Sequence, residues 1–325
     1  MATCYLGIDI GGTKSHALIA DSTGRALGLG AAGPGSYEVV GFGGLERVLR
    51  ELTNAALAEA GLAPADIAGA GFGIAGYDWP GEREPHLRAI ETLGLSAPFE
   101  LVNDTIVGLL AGAAEGWGVA LVAGTSNNCR GLDAAGREGR ITGQGAWFGE
   151  YGGAVELVRR ALEAVSAAWS LRGPQTALSA ALVEAAGAAG VEDLFEGLVL
   201  RRYKLDAECA RAVFAVAERG DAVARACIAW AGRELGSLAC GVIRQLGFEG
   251  ASFDLVLVGG LYNGGPLLID PLRETVHALA PGARLVRLEA PPVVGGVLLG
   301  MRAAGLDPAP LRPALIASAR ALFAR

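Results

Sequence analysis

Charge is scarce in this chain: charged residues make up 19% of its 325 positions against 52% hydrophobic, the net charge is −7, and no run of Lys or Arg occurs. A chain of that balance has material for a large core and is not disordered. Net acidity without a basic run excludes a nucleic-acid backbone or an anionic membrane as the main partner. Cysteine is sparse as well, with Cys4, Cys129, Cys209, Cys227 and Cys240 forming an odd set that contains no C-x-x-C pair. That pattern describes reduced thiols of a cytoplasmic protein, small hydrophobes rather than a disulfide framework. His16, His86 and His277 show neither i,i+4 nor Cys/His spacing, so no zinc site is expected. No apolar stretch reaches the ~18–20 residues of a membrane span without a Gly or a charge interrupting it. The first five residues lack a basic n-region and lead straight into a strand, so no cleaved signal is expected. Linkers and low-complexity segments are missing too, so the units of the chain are expected to pack closely.

Glycine is what the chain has in excess, 50 residues, about twice the usual ~7% share, and much of it falls at strand ends. Two of those ends belong to an internal repeat. The first copy reads Leu6-Gly7-Ile8-Asp9-Ile10-Gly11-Gly12-Thr13-Lys14, followed by a second strand and Asp21-Ser22-Thr23-Gly24-Arg25. The second reads Gly118-Val119-Ala120-Leu121-Val122-Ala123-Gly124-Thr125-Ser126, followed by a strand and Asp133-Ala134-Ala135-Gly136-Arg137. Gly12 and Gly124, and likewise Asp21 and Asp133, lie 112 positions apart. A repeated strand–turn–strand predicts two similar domains. Each offers a turn of backbone N–H groups able to hold phosphate, and two such turns on one cleft would grip a nucleotide from both sides.

The remaining pattern is that of an α/β protein. After the opening hairpin, residues 44–60 read as an amphipathic helix ended by Gly61. A buried strand follows at 67–74, then a helix at 84–93, a short strand at 99–102 and an apolar helix at 105–115. Strands alternating with helices predict a parallel sheet with helices outside. The second unit opens at Gly118 and continues with a helix at 152–169, whose Glu156, Arg159, Arg160 and Glu163 are read as its wet side. Residues 175–248 read as Ala-rich helices broken near Gly190, Tyr203 and Gly220. A strand at 253–258, a helix at 266–279, a strand at 284–288 and helices at 293–304 and 311–323 complete the chain.

Asp9-Ile10-Gly11-Gly12-Thr13-Lys14 is the strongest chemical signal. Its glycines let backbone approach phosphate oxygens, Thr13 offers a hydroxyl, Lys14 a charge, and Asp9 can hold water on Mg²⁺. It matches neither G-x-x-x-x-G-K-[ST] nor G-x-G-x-x-G, and an ordinary Gly hairpin is the plain alternative. Gly124-Thr125-Ser126-Asn127-Asn128 presents hydroxyl and amide groups at the equivalent turn, where a polar surface hairpin is the alternative. Asn103-Asp104 places a carboxylate at a strand end and a helix start. Asp104 reads equally as a helix cap or as a base for a substrate hydroxyl. Gly259-Gly260-Leu261-Tyr262-Asn263 ends a buried strand at a sheet's carboxyl edge, where such sheets bind ligands, though a plain tight turn has the same look.

Together with Gly73 to Asp78 and Pro291-Pro292-Val293-Val294-Gly295-Gly296, these segments resemble the N-acetylglucosamine kinase group. That group sits with the benzoyl-CoA reductase activator-type ATPases inside the superfamily of sugar kinases, actin and heat-shock chaperones. The resemblance covers nearly the whole chain. It implies a fold of duplicated ribonuclease-H-like domains, the actin-like ATPase arrangement, around a nucleotide cleft. Residues 1–115 would form the first domain, 116–310 the second with a helical insertion, and 311–325 a helix packing back on the first. It implies ATP and Mg²⁺ as cofactors, a sugar as substrate, and a homodimer. By position, Asp9 would orient Mg²⁺, through water, with Gly11, Gly12, Thr13 and Lys14 as first phosphate loop. Gly124, Thr125 and Ser126 would form the second, and Gly259, Gly260 and Asn263 the adenosine site. Asp104 aligns with the catalytic base; Ser36, Gly76, Asp78, Asn103, Thr125 and Asn128 fall on the sugar side.

The chain departs from the family in two places. Members commonly carry G-G-W-G followed by G-D-E-G-S, whereas here Gln144 stands where that Trp is expected and Glu150-Tyr151 replace Asp-Glu. Gln144 and Glu150 are accordingly expected to set sugar choice, with Trp147 in the core. Ser36-Tyr37 also lacks the Asn often found in the first-domain sugar loop. N-acetylglucosamine giving its 6-phosphate is the expected reaction. Glucosamine, N-acetylmuramic acid or another hexose, and an ATPase-activator role, are the alternatives.

Overall fold

The computed structural model describes residues 3–325; Met1 and Ala2, the first residues of the segment read as carrying no signal sequence, lie outside the described residues. The first unit comprises β1 (Cys4–Ile10), β2 (Ser15–Asp21), β3 (Ala26–Ala32), α1 (Tyr37–Ala60), β4 (Ile67–Ile74), α2 (Arg83–Glu91), β5 (Phe99–Val102) and α3 (Asp104–Gly112). The second begins with β6 (Gly118–Ala123), β7 (Asn127–Leu132) and β8 (Glu138–Arg140). Five helices follow: α4 (Ala154–Trp169), α5 (Leu178–Ala186), α6 (Val191–Val199), α7 (Ala210–Glu218) and α8 (Ala222–Leu246). The chain then runs through β9 (Phe253–Val258), α9 (Pro266–His277), β10 (Ala283–Arg287), α10 (Val293–Ala303) and α11 (Arg312–Phe323).

The first sheet has the order β3-β2-β1-β4-β5 and the second, read from its antiparallel edge, β8-β7-β6-β9-β10. In both, the first three strands form an antiparallel meander, and the last two lie parallel to the first strand. The repeated motif thus folds twice into one ribonuclease-H-like topology. Its D-x-x-G-R turn has a shared cause. Asp21 Oδ1 accepts N–H bonds from Thr23 and Arg25, and Asp133 Oδ1 accepts them from Ala135 and Arg137. Gly24 and Gly136 supply the left-handed residue of each turn, at φ 82° and 81°. The strands behind these turns, β3 and β8, are not anticipated from sequence. β3 is built of Gly, Ala and Leu without β-branched residues, and β8 is three residues long.

Each sheet is covered on one face by its own helix and on the other by a helix from the far half of the chain. α1 and α8 cover the outer faces of the first and second sheets. On the inner side α10 lies across β1 and β4, and α3 lies on the second sheet. The α10 contact is backbone on backbone: a Cβ at Gly7 would stand 2.3 Å from Val297 N, and one at Gly71 2.2 Å from Gly296 O. α10 meets α3 just as closely, since a Cβ at Gly295 would fall 1.9 Å from Val107 O. α11 returns to the first sheet, where Ser318 Oγ accepts the Ala26 N–H at 2.7 Å.

Two readings of the second unit change. Glu156 is buried rather than on the wet side of α4, and Trp147 is 96% exposed rather than core. α8 is long and apolar enough to cross a membrane by length and composition, although Gly232, Arg233 and Glu234 interrupt it. Its apolar face is occupied by the core of the second unit, where Leu235, Val242 and Ile243 are fully buried.

The glycine seam predicts a sharp asymmetry. Gly295→Ala should cost roughly 1–3 kcal/mol through overpacking. Gly241→Ala, a helical site with open space around it, should gain up to ~1 kcal/mol from helix propensity. Chemical denaturation of the two variants checks this, and equal midpoints would show that the seam relaxes freely.

Candidate active site

The two Gly-Thr turns occupy equivalent sheet positions. In the first, the Gly11 N–H donates to Lys14 O at 3.1 Å, and Gly11 O accepts from Gly35 N and Ser36 N. This ties the turn to the loop that carries Ser36, while Gly12, Thr13 and Lys14 stay exposed. In the second, Gly124 N donates to Ser126 O, and Gly124 O and Thr125 O accept the Ala154 and Val155 N–H groups that open α4. Thr125 and Ser126 are exposed. Both turns are therefore braced through their carbonyls and present N–H and hydroxyl groups outward.

Two half-buried carboxylates meet between them. Burial pushes Asp9, at the end of β1, up to about 8; the Asp104 charge adds to the rise and Lys14 opposes it. Asp104 is pushed up to about 7, by burial first and the Asp78 charge second, with Arg130 and the Thr105 and Asp104 amides opposing. The helix cap is the neighbouring residue: Asn103 Oδ1 accepts the Thr105 N–H at 2.9 Å. Asp104 is thereby left at the first helical position, facing Asp9. Asn103 also donates to Asp78 Oδ1 at 3.2 Å and is approached by Asn128 Nδ2 at 3.5 Å. Ser36 caps α1, and a Cβ at Gly76 would reach 3.0 Å from its Oγ, so those two residues are neighbours.

Asp78 is held by a residue that sequence reasoning misses. Arg130 of β7 donates to its Oδ1 at 2.6 Å and also pairs with Glu138. The Asp78 carbonyl accepts from Arg140, whose guanidinium lies 4.6 Å from the Trp79 ring centroid. A charged residue inside a buried strand was the available signal for Arg130. Glu150 likewise has partners of its own: its carboxylate accepts N–H bonds from Thr142 (2.7 Å), Gln144 (3.1 Å) and Gly145 (3.3 Å). It closes the 142–150 loop on itself, and Gln144 lines the cleft above it.

A cavity of about 570 Å³ joins the second turn to the end of β9, with Gly124, Thr125, Gly260 and Asn263 on one side. Glu208, Arg211 and Phe214 close the other side from the helical insertion. Its size suits a nucleoside. Gly259, at φ 114°, passes so close to Ala123 O that a Cβ would stand 2.3 Å away. Arg287, again unforeseen, donates to Gly259 O and to Asn263 Oδ1, both at 3.1 Å, fixing that turn. The structure thus gathers Asp9, Asp104, Asn103, Asp78 and Asn128 at one end of a cleft, and Gly124, Thr125, Gly260 and Asn263 at the other.

The raised Asp104 has a stability consequence. Its carboxyl ionises near 3.8 in an unfolded chain and near 7 when folded, so ionisation weakens the fold progressively between those values and fully above them. Asp104→Asn should therefore melt higher than the wild type at pH 8, with the gap closing towards pH 4. A variant that melts lower at pH 8 would contradict this.

Known proteins share this arrangement. Residues 6–300 match the model of the BadF/BadG/BcrA/BcrD ATPase family. An N-acetylmuramic acid/N-acetylglucosamine kinase of Clostridium acetobutylicum is 25% identical over 296 residues, 90% of this chain and 97% of the relative. An N-acetyl-D-glucosamine kinase of Dictyostelium discoideum is 26% identical over 313 residues, 91% and 97% of the two chains. Among solved structures, a candidate N-acetylglucosamine kinase from Chromobacterium violaceum superposes with a TM-score of 0.70 at 22% identity, covering 92% of this chain and 99% of that one. A ROK family glucokinase from Streptomyces griseus, solved with glucose and AMPPNP, gives 0.58 at 19% identity, with 92% and 99% covered. These likenesses show the sugar-kinase and actin-like ATPase fold. With both sheets and both Gly-Thr turns inside the matched span, the chain belongs to the BadF/BadG/BcrA/BcrD ATPase family.

Proposed function

We propose that this chain is an ATP-dependent sugar kinase that transfers the γ-phosphate of ATP to a hydroxyl of an amino sugar. The observation that carries the proposal is the placement of Asp104 against Asp9, beside a nucleoside-sized cavity that ends on the second phosphate turn. The relatives' named substrates, N-acetylglucosamine and N-acetylmuramic acid, set the acceptor class. Adenosine would lie between Gly260 with Asn263 and the insertion residues Arg211 and Phe214. The phosphates would lie between Gly11 to Lys14 and Gly124 to Ser126, on N–H groups and the Lys14 charge.

Asp9 fits a role in holding Mg²⁺ through water. It is a carboxylate destabilised by a second carboxylate, and among the described residues no group of three His, Cys, Asp or Glu side chains could cage a metal. Mg²⁺ characteristically keeps waters and takes its remaining ligands from substrate phosphates, and when bound it neutralises charge on them. Ser36, Gly76, Asn103, Asn128 and Gln144 would line the sugar. Asp78, whose Oδ1 is held by Arg130 and Asn103, offers Oδ2 to a hydroxyl. Glu150, whose carboxylate accepts three N–H bonds from its own loop, shapes that loop rather than touching the sugar.

In the reaction the sugar oxygen bonds to the γ-phosphorus while the bond to the β,γ-bridging oxygen breaks, and ADP leaves. The hydroxyl proton passes to Asp104 Oδ. A base whose pKa lies near 7 is suited to work at neutral pH, because it is available yet still holds the proton. The competing role, an iron–sulfur ATPase activator, needs several thiolates converging on the cluster, and of the five cysteines Cys209 alone is not buried. Cytoplasmic residence, on the odd and sparse set of cysteines, and homodimer assembly belong to the same proposal. Asp104→Asn should lower kcat by at least ~10² while ATP binding, measured by calorimetry, is retained. Near-normal turnover of that variant would remove Asp104 from the chemistry.

A further inference from the structure

A second cavity, of about 370 Å³, opens beside the second phosphate turn. Glu38 of α1 stands on one wall, with Ser126, Asn127, Gln144 and Glu156 on the other. It adjoins the acceptor end of the cleft: Gly143 in its lining packs so closely on Asp78 that a Cβ would stand 2.9 Å from Asp78 Oδ1. Its charged residues are all acidic, for no Lys or Arg lines it.

Glu156 is 9% exposed, yet its Oε2 has no hydrogen-bond partner. Asn127 is 4% exposed, and its Oδ1 is unpartnered in the same way. A buried acceptor left open costs about 1–3 kcal/mol, more when charged, so two in one cavity call for a donor from outside. The amides of Glu156 and Gly153, the Arg159 charge and the Asn127 side chain favour the carboxylate form of Glu156, but burial outweighs them and raises it. Glu38 is raised by burial, Asp78 and Glu82. Both walls thus carry a carboxyl group, and no Lys or Arg in the lining pairs with either.

The chemistry of the missing partner follows from those acceptors. Among the described residues no third His, Cys, Asp or Glu joins these two carboxylates to cage a divalent metal. A sugar hydroxyl donates one hydrogen bond and balances no charge. An acetamido group has one N–H and brings a carbonyl acceptor that would face carboxylates. An ammonium donates three hydrogen bonds and supplies the charge. Resting on the kinase reading above, we propose that the acceptor sugar carries a free ammonium group, as in an unacetylated 2-amino-2-deoxyhexose, received between Glu156 and Glu38. The chain would then differ from relatives named for N-acetylated sugars through one buried carboxylate in α4.

The test compares glucosamine, glucose and N-acetylglucosamine as acceptors at pH 7, by initial rates with ATP and by calorimetric binding. Glucosamine should exceed both neutral sugars by at least ~10-fold in kcat/KM, a discrimination typical of a site that must hydrogen-bond its ligand. In Glu156→Gln, and independently in Glu38→Gln on the first turn of α1, that ratio should collapse towards one. A neutral sugar used equally well by the wild type would overturn the proposal and leave the kinase reading standing. So would a Glu156→Gln variant that loses all sugars alike, which would reduce Glu156 to a cap on α4. Transfer to none of the sugars would instead overturn the kinase reading, and calorimetry would still report whether the cavity prefers the ammonium.

Discussion

Helix α10 lies directly on the backbones of β1 and β4, and that contact holds the two halves of the molecule in one geometry. Gly7 and Gly71 on the sheet face the Gly296–Val297 turn of the helix at distances no side chain could share. Gly295 brings the other side of α10 equally close to Val107 of α3. Interfaces of this kind have little room to slide, since protein interiors are close-packed and transmit strain. α3 in turn lies on the second sheet, where Gly112 fits against Val256. The helix that starts with Asp104 is therefore clamped by both units, and the carboxylate at its first turn sits in fixed relation to Asp9 at the end of β1.

The cleft depends on that clamp because its polar groups are costly to hold. Burial raises both Asp9 and Asp104, the Asp104 charge raises Asp9 further and the Asp78 charge raises Asp104, with Lys14 and Arg130 opposing only in part. Asp78 and Arg130 form an ion pair across the units with both side chains almost wholly buried. Such a pair gains little net stability after desolvation, and breaking it by removing one partner is expensive. Its effect is geometric: it ties the turn after β4 to β7, and through Asn103 it reaches the start of α3. A scaffold braced by glycine contacts can hold the Asp9 and Asp104 carboxyls in place until a nucleotide and a sugar arrive. Active sites commonly trade stability for function in this way.

Much of the scaffold was legible in the sequence, because its signals are local. Apolar runs bounded by Gly gave β4 and β9 at their observed ends, Gly61 closes α1 at φ 67°, and the D-x-x-G-R repeat has a backbone cause in each copy. α1 starts at Tyr37 rather than 44, because the chain is already helical before a kink at Gly41. What stayed hidden is what depends on distant partners. Arg130 is explained by Asp78 and Glu138, and Arg287 by Gly259, Asn263 and the Tyr262 ring. Glu150 looks like a free acceptor until three amides of its own loop converge on it. Glu156 fits the polar stripe of an amphipathic helix, yet the neighbouring second turn buries it. Trp147, apolar by type, stands out at the tip of the 142–150 loop, where no neighbour covers it.

Sugar phosphorylation itself is open to direct observation. Phosphorus NMR of the purified protein with ATP, Mg²⁺ and an amino sugar should show one sugar-phosphate resonance growing in step with ADP, and only when the sugar is present. Accumulation of ADP and inorganic phosphate at a rate indifferent to any sugar would contradict a kinase and make the cleft that of an ATPase.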